Sequence, residues 1–172
     1  MRYLSRMKSL NVVLMLGFAF ILCLFSACGG SKRAALSGEY RELVNSRKFE
    51  IENDWAVPLR GSMINLIGNP NSIRFKGDSV DVFLPYFGVR HSGGGYGDAG
   101  GIEFKGSPRN VSIEESNKDG LQLKFEGNDG NENLQFIVNI FSNGNTTISV
   151  NSSQRDAIRY RGNIGPLKEQ NE

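Results

Sequence analysis

The chain has 172 residues, of which 39% are hydrophobic and 22% are charged, and it contains only two cysteines. This length suits one domain with its own hydrophobic core, rather than a small scaffold that depends on disulfide bonds. The formal net charge is +2, but three of the 20 basic residues, Arg2, Arg6 and Lys8, lie at the extreme N-terminus. The rest of the chain is therefore nearly neutral, and it offers no electrostatic basis for binding nucleic acid.

The N-terminus has the pattern of an export signal. Its basic residues precede a mostly apolar run over residues 10–24, and Ser26-Ala27-Cys28 follows this run. Small residues directly before a cysteine resemble the lipobox of bacterial lipoproteins. We therefore predict a signal peptide over residues 1–27, acylation of Cys28, and a tether over residues 28–33. The alternative is an uncleaved membrane anchor, for which the apolar run is about long enough.

Lipidation at Cys28 would attach the protein to a membrane of the bacterial cell envelope. Cys23 lies within the predicted signal peptide and would be removed with it, so the mature chain would have no disulfide. No acidic run follows Cys28. In the group of bacterial lipoproteins that the chain resembles, such a run tends to mark surface export, and its absence favours the periplasmic face.

The remaining sequence predicts one helix followed by many strands. Apolar residues recur at helical spacing over residues 34–48, which indicates an amphipathic helix. After Lys48 the apolar residues alternate with polar ones in short runs, separated by turn sequences such as Ser142-Asn143-Gly144-Asn145. The fold class predicted is all-β: a single antiparallel β-sandwich or small β-barrel of about eight to ten strands after one short N-terminal helix. This single domain would cover residues 34–166, with a polar tail over 167–172.

Residues 80–101 are the least generic part of the sequence. Val80, Val82 and Leu84 alternate as in a strand and should point into the core, and Pro85 should end that strand because it has no N–H donor. A glycine-rich run follows over residues 92–101. We predict that a binding lip around a groove is formed by these residues: Tyr86, Phe87, Arg90, His91 and Tyr96. The alternative is that the two adjacent aromatic residues only cap the core.

The sequence contains no convincing catalytic set. His91 is the only histidine, so it would have to be the base of any histidine-assisted nucleophile. Ser92, Asp78, Asp81 and Asp98 lie near it in sequence, but a chance neighbourhood on a flexible loop explains this well. A zinc site would lack a second histidine and a mature cysteine. Asp129-Gly130-Asn131-Glu132 does not have the ligand spacing of a calcium loop, and the glycine-rich run lacks the ending of a phosphate-binding loop. We therefore predict no catalytic residues, no metal and no cofactor. Carboxylates that converge only in the folded chain stay open as an alternative.

Several segments together resemble one family, the domain-of-unknown-function 4251 family found in lipoproteins of Bacteroidota. The matching segments are a lipobox, a short helix, a Phe-X-Ile strand leading to Pro58, Gly77-Asp78, Leu84-Pro85-Tyr86-Phe87-Gly88, Gly100-Gly101-Ile102-Glu103-Phe104, Ser142-Asn143-Gly144 and Ile158-Arg159-Tyr160-Arg161-Gly162. The resemblance covers about residues 48–166 and implies an all-β fold and a place in the cell envelope. The family has no established activity, so the resemblance assigns no catalytic residue.

Three functions are compatible with these features. The first is a non-catalytic, lipid-anchored module that binds a small apolar ligand or another envelope protein. The second is a carboxylate-dependent hydrolase, and the third is a purely structural accessory subunit. An apolar cavity would favour the ligand, facing carboxylates in a cleft would favour the enzyme, and an apolar patch would favour a protein partner.

Overall fold

The computed structural model describes residues 31–92, 100–116 and 120–168. Helix α1 (Ser31–Ser46) precedes ten strands. The strands are β1 (Lys48–Pro58), β2 (Ile64–Asn65), β3 (Ser72–Lys76), β4 (Ser79–Pro85), β5 (Gly101–Gly106), β6 (Arg109–Ser116), β7 (Gly120–Asp129), β8 (Glu132–Phe141), β9 (Asn145–Ser152) and β10 (Ile158–Pro166). All ten are antiparallel and form a curled half-barrel sheet, which confirms the predicted all-β class.

The strand order explains how one sheet can enclose a core. The order is β5-β4-β3-β1-β10-β9-β8-β7-β6, and β2 pairs with β1 beside the main path. The sheet curls so that β5, at one end of this order, contacts β7, near the other end. The contact is made by Phe104 of β5, which packs on Gly127 of β7. A Cβ atom at Gly127 would lie 2.7 Å from the Phe104 ring. Close approach at this point therefore requires glycine.

Four phenylalanine side chains form a contiguous cluster within the mostly aliphatic core of the half-barrel. Phe49 stacks on Phe75 at 4.7 Å between ring centroids, and Phe125 stacks on Phe136 at 4.5 Å. An edge-to-face contact of 5.2 Å between Phe75 and Phe125 joins the two pairs. Such stacked and T-shaped contacts are the favoured arrangements of aromatic rings.

Strand β4 contributes to the same core. Val80, Val82 and Leu84 are all buried, as the alternation predicts. Tyr160 of β10 is also buried, and its hydroxyl group donates a hydrogen bond of 2.8 Å to the carbonyl oxygen of Pro85, the last residue of β4. This bond ties the end of β4 to β10, from which it is separated in the sheet by β3 and β1.

The helix lies a few residues earlier than the predicted range of 34–48. It begins at Ser31 and ends at Ser46, because Arg47 has a left-handed backbone with φ of 52°. Strand β2 is short and contains only Ile64 and Asn65. The Asn65 side chain accepts a hydrogen bond of 2.8 Å from the Ile67 N–H, and this local turn competes with strand pairing. In the described ranges, no helix is long and apolar enough to cross a membrane.

Candidate functional site

Four of the predicted lip residues lie on one segment directly after β4, which we call the rim segment (residues 86–91). Its backbone is anchored at several points. The Tyr86 N–H donates to the Gly100 carbonyl oxygen at 3.0 Å, and the His91 N–H donates to the Gln154 carbonyl oxygen at 2.7 Å. Val89 accepts a hydrogen bond of 2.9 Å from the N–H of Asp156. The rim segment is thus fixed against the connection between β9 and β10.

The side chain of Tyr86 links the rim segment to the connection between β9 and β10. Its hydroxyl oxygen lies 2.9 Å from the carbonyl oxygen of Val89 and 3.1 Å from that of Asp156, and the Arg155 guanidinium lies 5.0 Å from the ring centroid. Burial and the negative charge of Asp156 raise the pKa of Tyr86, although Arg155 acts in the opposite direction. The ring also packs against Gly88, where a Cβ atom would lie 2.7 Å from the tyrosine Cζ. Tyr86 therefore faces inward as a neutral anchor.

A buried charge network lies under the rim segment. Glu132, the first residue of β8, is only 1% exposed, and Arg155 is 6% exposed. Arg155 binds Glu132 in a bidentate manner, with Nε donating to Oε1 at 2.6 Å and Nη2 donating to Oε2 at 2.5 Å. Its Nη1 donates to the Gly101 carbonyl oxygen at 2.8 Å, and Arg90 adds a bond of 3.0 Å to Glu132 Oε2. The network joins β8, β5, the β9–β10 connection and the rim segment.

The electrostatics of this network favour a charged Glu132. Burial alone would raise the pKa of Glu132, but hydrogen bonds from Arg155 and Ser152, and the positive charges of Arg155 and Arg90, outweigh it. The pKa of Glu132 therefore lies below its ordinary value. A buried carboxylate of this kind stabilises the fold only while it keeps its cationic partners.

The predicted lip residues fall into two groups. Tyr86 and Arg90 are turned into the protein, whereas Phe87 is 36% exposed and His91 is exposed with its Nε2 atom 2.8 Å from Asp156 Oδ1. Val89, which was not among the predicted residues, is 53% exposed between them. Tyr96 and the predicted lipidation site Cys28 lie outside the described residues.

The two central residues of the network, Glu132 and Arg155, escaped the sequence analysis. Glu132 ends the turn sequence Asp129-Gly130-Asn131-Glu132, which the sequence analysis considered only as a calcium loop. It nevertheless shares the two-residue period of Leu134 and Phe136, so extending the strand by one step would have placed it on the core face. Arg155 lies in a connection without periodicity, and no sequence signal identifies it.

A second cluster of polar residues lies on another face of the sheet, around β1. A cavity of about 240 Å³ there is lined by Glu50, Glu52, Asp54, Asn163, Ile164, Gly165, Pro166 and Lys168. Each carboxylate has a polar partner. Arg74 Nε donates to Glu50 at 2.8 Å, Lys168 Nζ donates to Glu52 at 2.7 Å, and the Asn163 amide donates to Asp54 at 3.1 Å. A hydrolase of the two-carboxylate type needs one group that donates a proton. Two of these three carboxylates already form ion pairs, an arrangement better suited to binding than to acid catalysis.

Comparison with known proteins bears on the family and the fold. The family model for the domain of unknown function DUF4251 matches residues 32–164. The chain belongs to the DUF4251 family. A crystal structure of a DUF4251 family protein from Bacteroides eggerthii DSM 20697 is similar, with a TM-score of 0.58 at 14% identity, over 78% of this chain and 91% of that chain. At this identity the likeness concerns the fold alone. No curated protein matches the chain.

Proposed function

We propose that this DUF4251 chain is a lipid-anchored protein of the bacterial cell envelope that binds an envelope partner and does not catalyse a reaction. The acylated Cys28 would hold it at the membrane, with the β domain facing the periplasm. The lipobox pattern of the N-terminal sequence supports the anchor. The arrangement of the rim segment supports the binding role.

One observation carries the binding role: a firmly anchored segment presents apolar side chains to water. The buried Glu132–Arg155 pair and the inward-facing Tyr86 fix the rim segment, yet Phe87 and Val89 on it stay exposed. Binding residues are often placed on loops that a rigid scaffold positions, and exposed apolar groups mark interaction sites where they form a contiguous patch. A loop that is already ordered also loses less conformational entropy when it binds.

The core favours a protein partner over the small apolar ligand that the sequence also allowed. The interior of the half-barrel is occupied by buried aliphatic side chains and by the stacked rings of four phenylalanines, among them Phe75 and Phe125. A ligand would have to displace these well-packed rings, and disruption of a packed core is costly. Binding at the outer rim requires no such change.

The anchor is tested with Cys28→Ser in the native host. The unchanged protein should stay with the membrane fraction through washes without detergent and should incorporate labelled fatty acid. The Cys28→Ser protein should do neither, because no other acylation site is predicted. A Cys28→Ser protein that is processed normally and still remains with washed membranes would contradict lipid anchoring.

The binding role is tested by replacing Phe87 with serine and comparing it with Ile113→Ser. Both side chains are 36% exposed, but Ile113 lies on β6, away from the rim segment in sequence. Envelope proteins that co-purify with the unchanged protein should be lost with Phe87→Ser and kept with Ile113→Ser. Both variants should stay folded and lose a similar free energy of unfolding, about 1–2 kcal/mol, because both residues are largely buried to the same extent. Equal co-purification with both variants would refute a binding site at the rim segment.

A further inference from the structure

The cavity beside β1 has the features of a small binding site, and its assignment does not rest on the function proposed above. Glu50 and Glu52 lie two residues apart on β1, so their side chains share one face of the sheet and their Cα atoms are roughly 6.6 Å apart. Gly165 of β10 is the register partner of Glu50, and a Cβ atom at Gly165 would meet no other atom within 4 Å. The neighbouring strand therefore leaves space directly beside a carboxylate.

The carboxylate of Glu50 is buried and incompletely satisfied. Its side chain is 3% exposed, and its Oε1 atom accepts a hydrogen bond from Arg74 Nε. Its Oε2 atom is also buried, but it has no hydrogen-bond partner among the described residues. Buried charged oxygens without a partner are unfavourable, so such an oxygen at a cavity points to a donor that comes from outside the chain.

The charges around the cavity leave room for one more cation. Its wall holds three carboxylates, those of Glu50, Glu52 and Asp54. Arg74 and Lys168 balance two of them, while Asp54 is bonded to the neutral amide of Asn163. One negative charge is left without a cationic partner in this group. A positively charged ligand would therefore complement the site.

We propose that this cavity binds an organic cation, namely a primary ammonium or guanidinium group carried on an aliphatic stem. The cationic group would donate to Glu50 Oε2, and the stem would lie in the open space beside Gly165, which lines the same cavity on the Glu50 face of the sheet. The chain itself shows an ammonium group bound on this face, because Lys168 Nζ lies 2.7 Å from Glu52 Oε1. The hydrogen bond that Lys168 donates to Glu52 raises the pKa of Lys168, so that ammonium group is stabilised in its charged form.

An organic cation fits this face better than a metal ion does. A bound metal requires several carboxylate, histidine or cysteine ligands that converge on one point. In the part of the chain that the structure describes, no group of three or more such residues has that geometry. The carboxylates are instead spread along the strand, and this arrangement suits an elongated ligand with hydrogen-bond donors.

The test titrates the full domain with cadaverine, which is lysine without its carboxyl group, and follows backbone amide shifts by NMR at low and at physiological salt. Two variants remove the site in different ways. Glu50→Gln removes the charge with little change of shape, and Gly165→Val fills the open space while leaving every charge in place. Glu103→Gln serves as the matched control, because it removes an exposed carboxylate on β5.

Cadaverine should bind the unchanged protein with saturable shifts confined to the ends of β1 and β10. Glu50→Gln and Gly165→Val should each weaken binding by at least about tenfold, which corresponds to 1.4 kcal/mol, and Glu103→Gln should leave it unchanged. Absence of saturable binding to the unchanged protein would overturn the proposal. Equal weakening by Glu103→Gln would also overturn it, because the amine would then respond only to the overall charge. If Glu50→Gln fails to fold, Gly165→Val still decides the matter.

Two probes distinguish the sources of such a cation. Cadaverine represents a free amine, and a lysine residue capped at both its amino and carboxyl ends represents a side chain of a peptide. Tighter binding of cadaverine supports a diffusible amine, and tighter binding of the capped lysine supports a basic side chain of another protein. Agmatine carries a guanidinium group on an aliphatic stem. If it also binds saturably and shifts the same backbone amides as cadaverine, this would support recognition of an organic cation, whichever of the two sources supplies it.

Discussion

Replacement of Arg155 by methionine should strongly destabilise the domain. The substitution removes both hydrogen bonds to Glu132, the bond of 2.8 Å to the Gly101 carbonyl oxygen and the cation beside the Tyr86 ring. Glu132 would then be a carboxylate at 1% exposure with Arg90 as its remaining cation. Removing one partner of a buried ion pair typically costs about 3–5 kcal/mol. This is a large part of the roughly 5–15 kcal/mol that stabilises a domain.

Urea unfolding of the lipid-free protein, followed by circular dichroism, measures this loss. A double-mutant cycle separates the interaction energy between Arg155 and Glu132 from the energy that each side chain contributes through its other contacts. Arg155→Met and Glu132→Leu should each be destabilising, but the double variant should lose clearly less than the sum, because no buried charge is then left without its partner. Additive losses, or a loss below about 1 kcal/mol for Arg155→Met, which is the typical effect of any substitution, would refute the role given to this pair.

Two further predictions concern the pH dependence and the core. Because the pKa of Glu132 is lowered on folding, its contribution to stability is fully present above the ordinary glutamate value of 4.5 and is lost as the pH falls through the lowered pKa. The urea concentration at the midpoint of unfolding should therefore fall at acidic pH, and Glu132→Gln should reduce this dependence on pH. If the midpoint of the Glu132→Gln protein falls at acidic pH as much as that of the unchanged protein, the prediction is wrong. Phe136→Ala should cost roughly 3–5 kcal/mol in urea unfolding, because the side chain is fully buried in the aromatic stack. A much smaller loss would show that the stack contributes little to the core.

The architecture could be predicted from the sequence because burial on one face of a sheet imposes a period of two. Strands β7 to β10 alternate between buried and partly exposed residues along most of their length. The buried residues Leu123, Phe136 and Ile148 belong to this pattern. Local signals were equally clear where a turn required special residues, as at Gly144 with its φ of 83°. Alternating strands and tight turns are determined by residues that are close together in the sequence, so both can be predicted from the sequence alone.

The functional surfaces depend on contacts between distant segments, and these are not visible in a single sequence. Arg155 and Glu132 are separated by 23 positions, and Arg90 reaches Glu132 across 42. In the sequence, Glu50 has the pattern of an ordinary polar residue on one face of β1. In the fold it is buried, where Arg74 and the end of β10 approach it. The aromatic residues and Pro85 distinguish the rim segment already in the sequence. Which of its side chains turn inward depends on Glu132, Arg155 and Asp156, which are distant in the sequence.

Photocrosslinking in intact cells tests the central claim most directly, because it asks whether the rim segment of the anchored protein touches another envelope protein. A photoreactive amino acid is placed at position 87, and at position 113 as the matched exposed control. We predict one discrete crosslinked protein from position 87 and none from position 113, and that Cys28→Ser weakens the crosslink because the protein is no longer concentrated at the membrane. The same products from both positions, or no product from position 87 in cells that carry the anchored protein, would contradict a binding role for the rim segment.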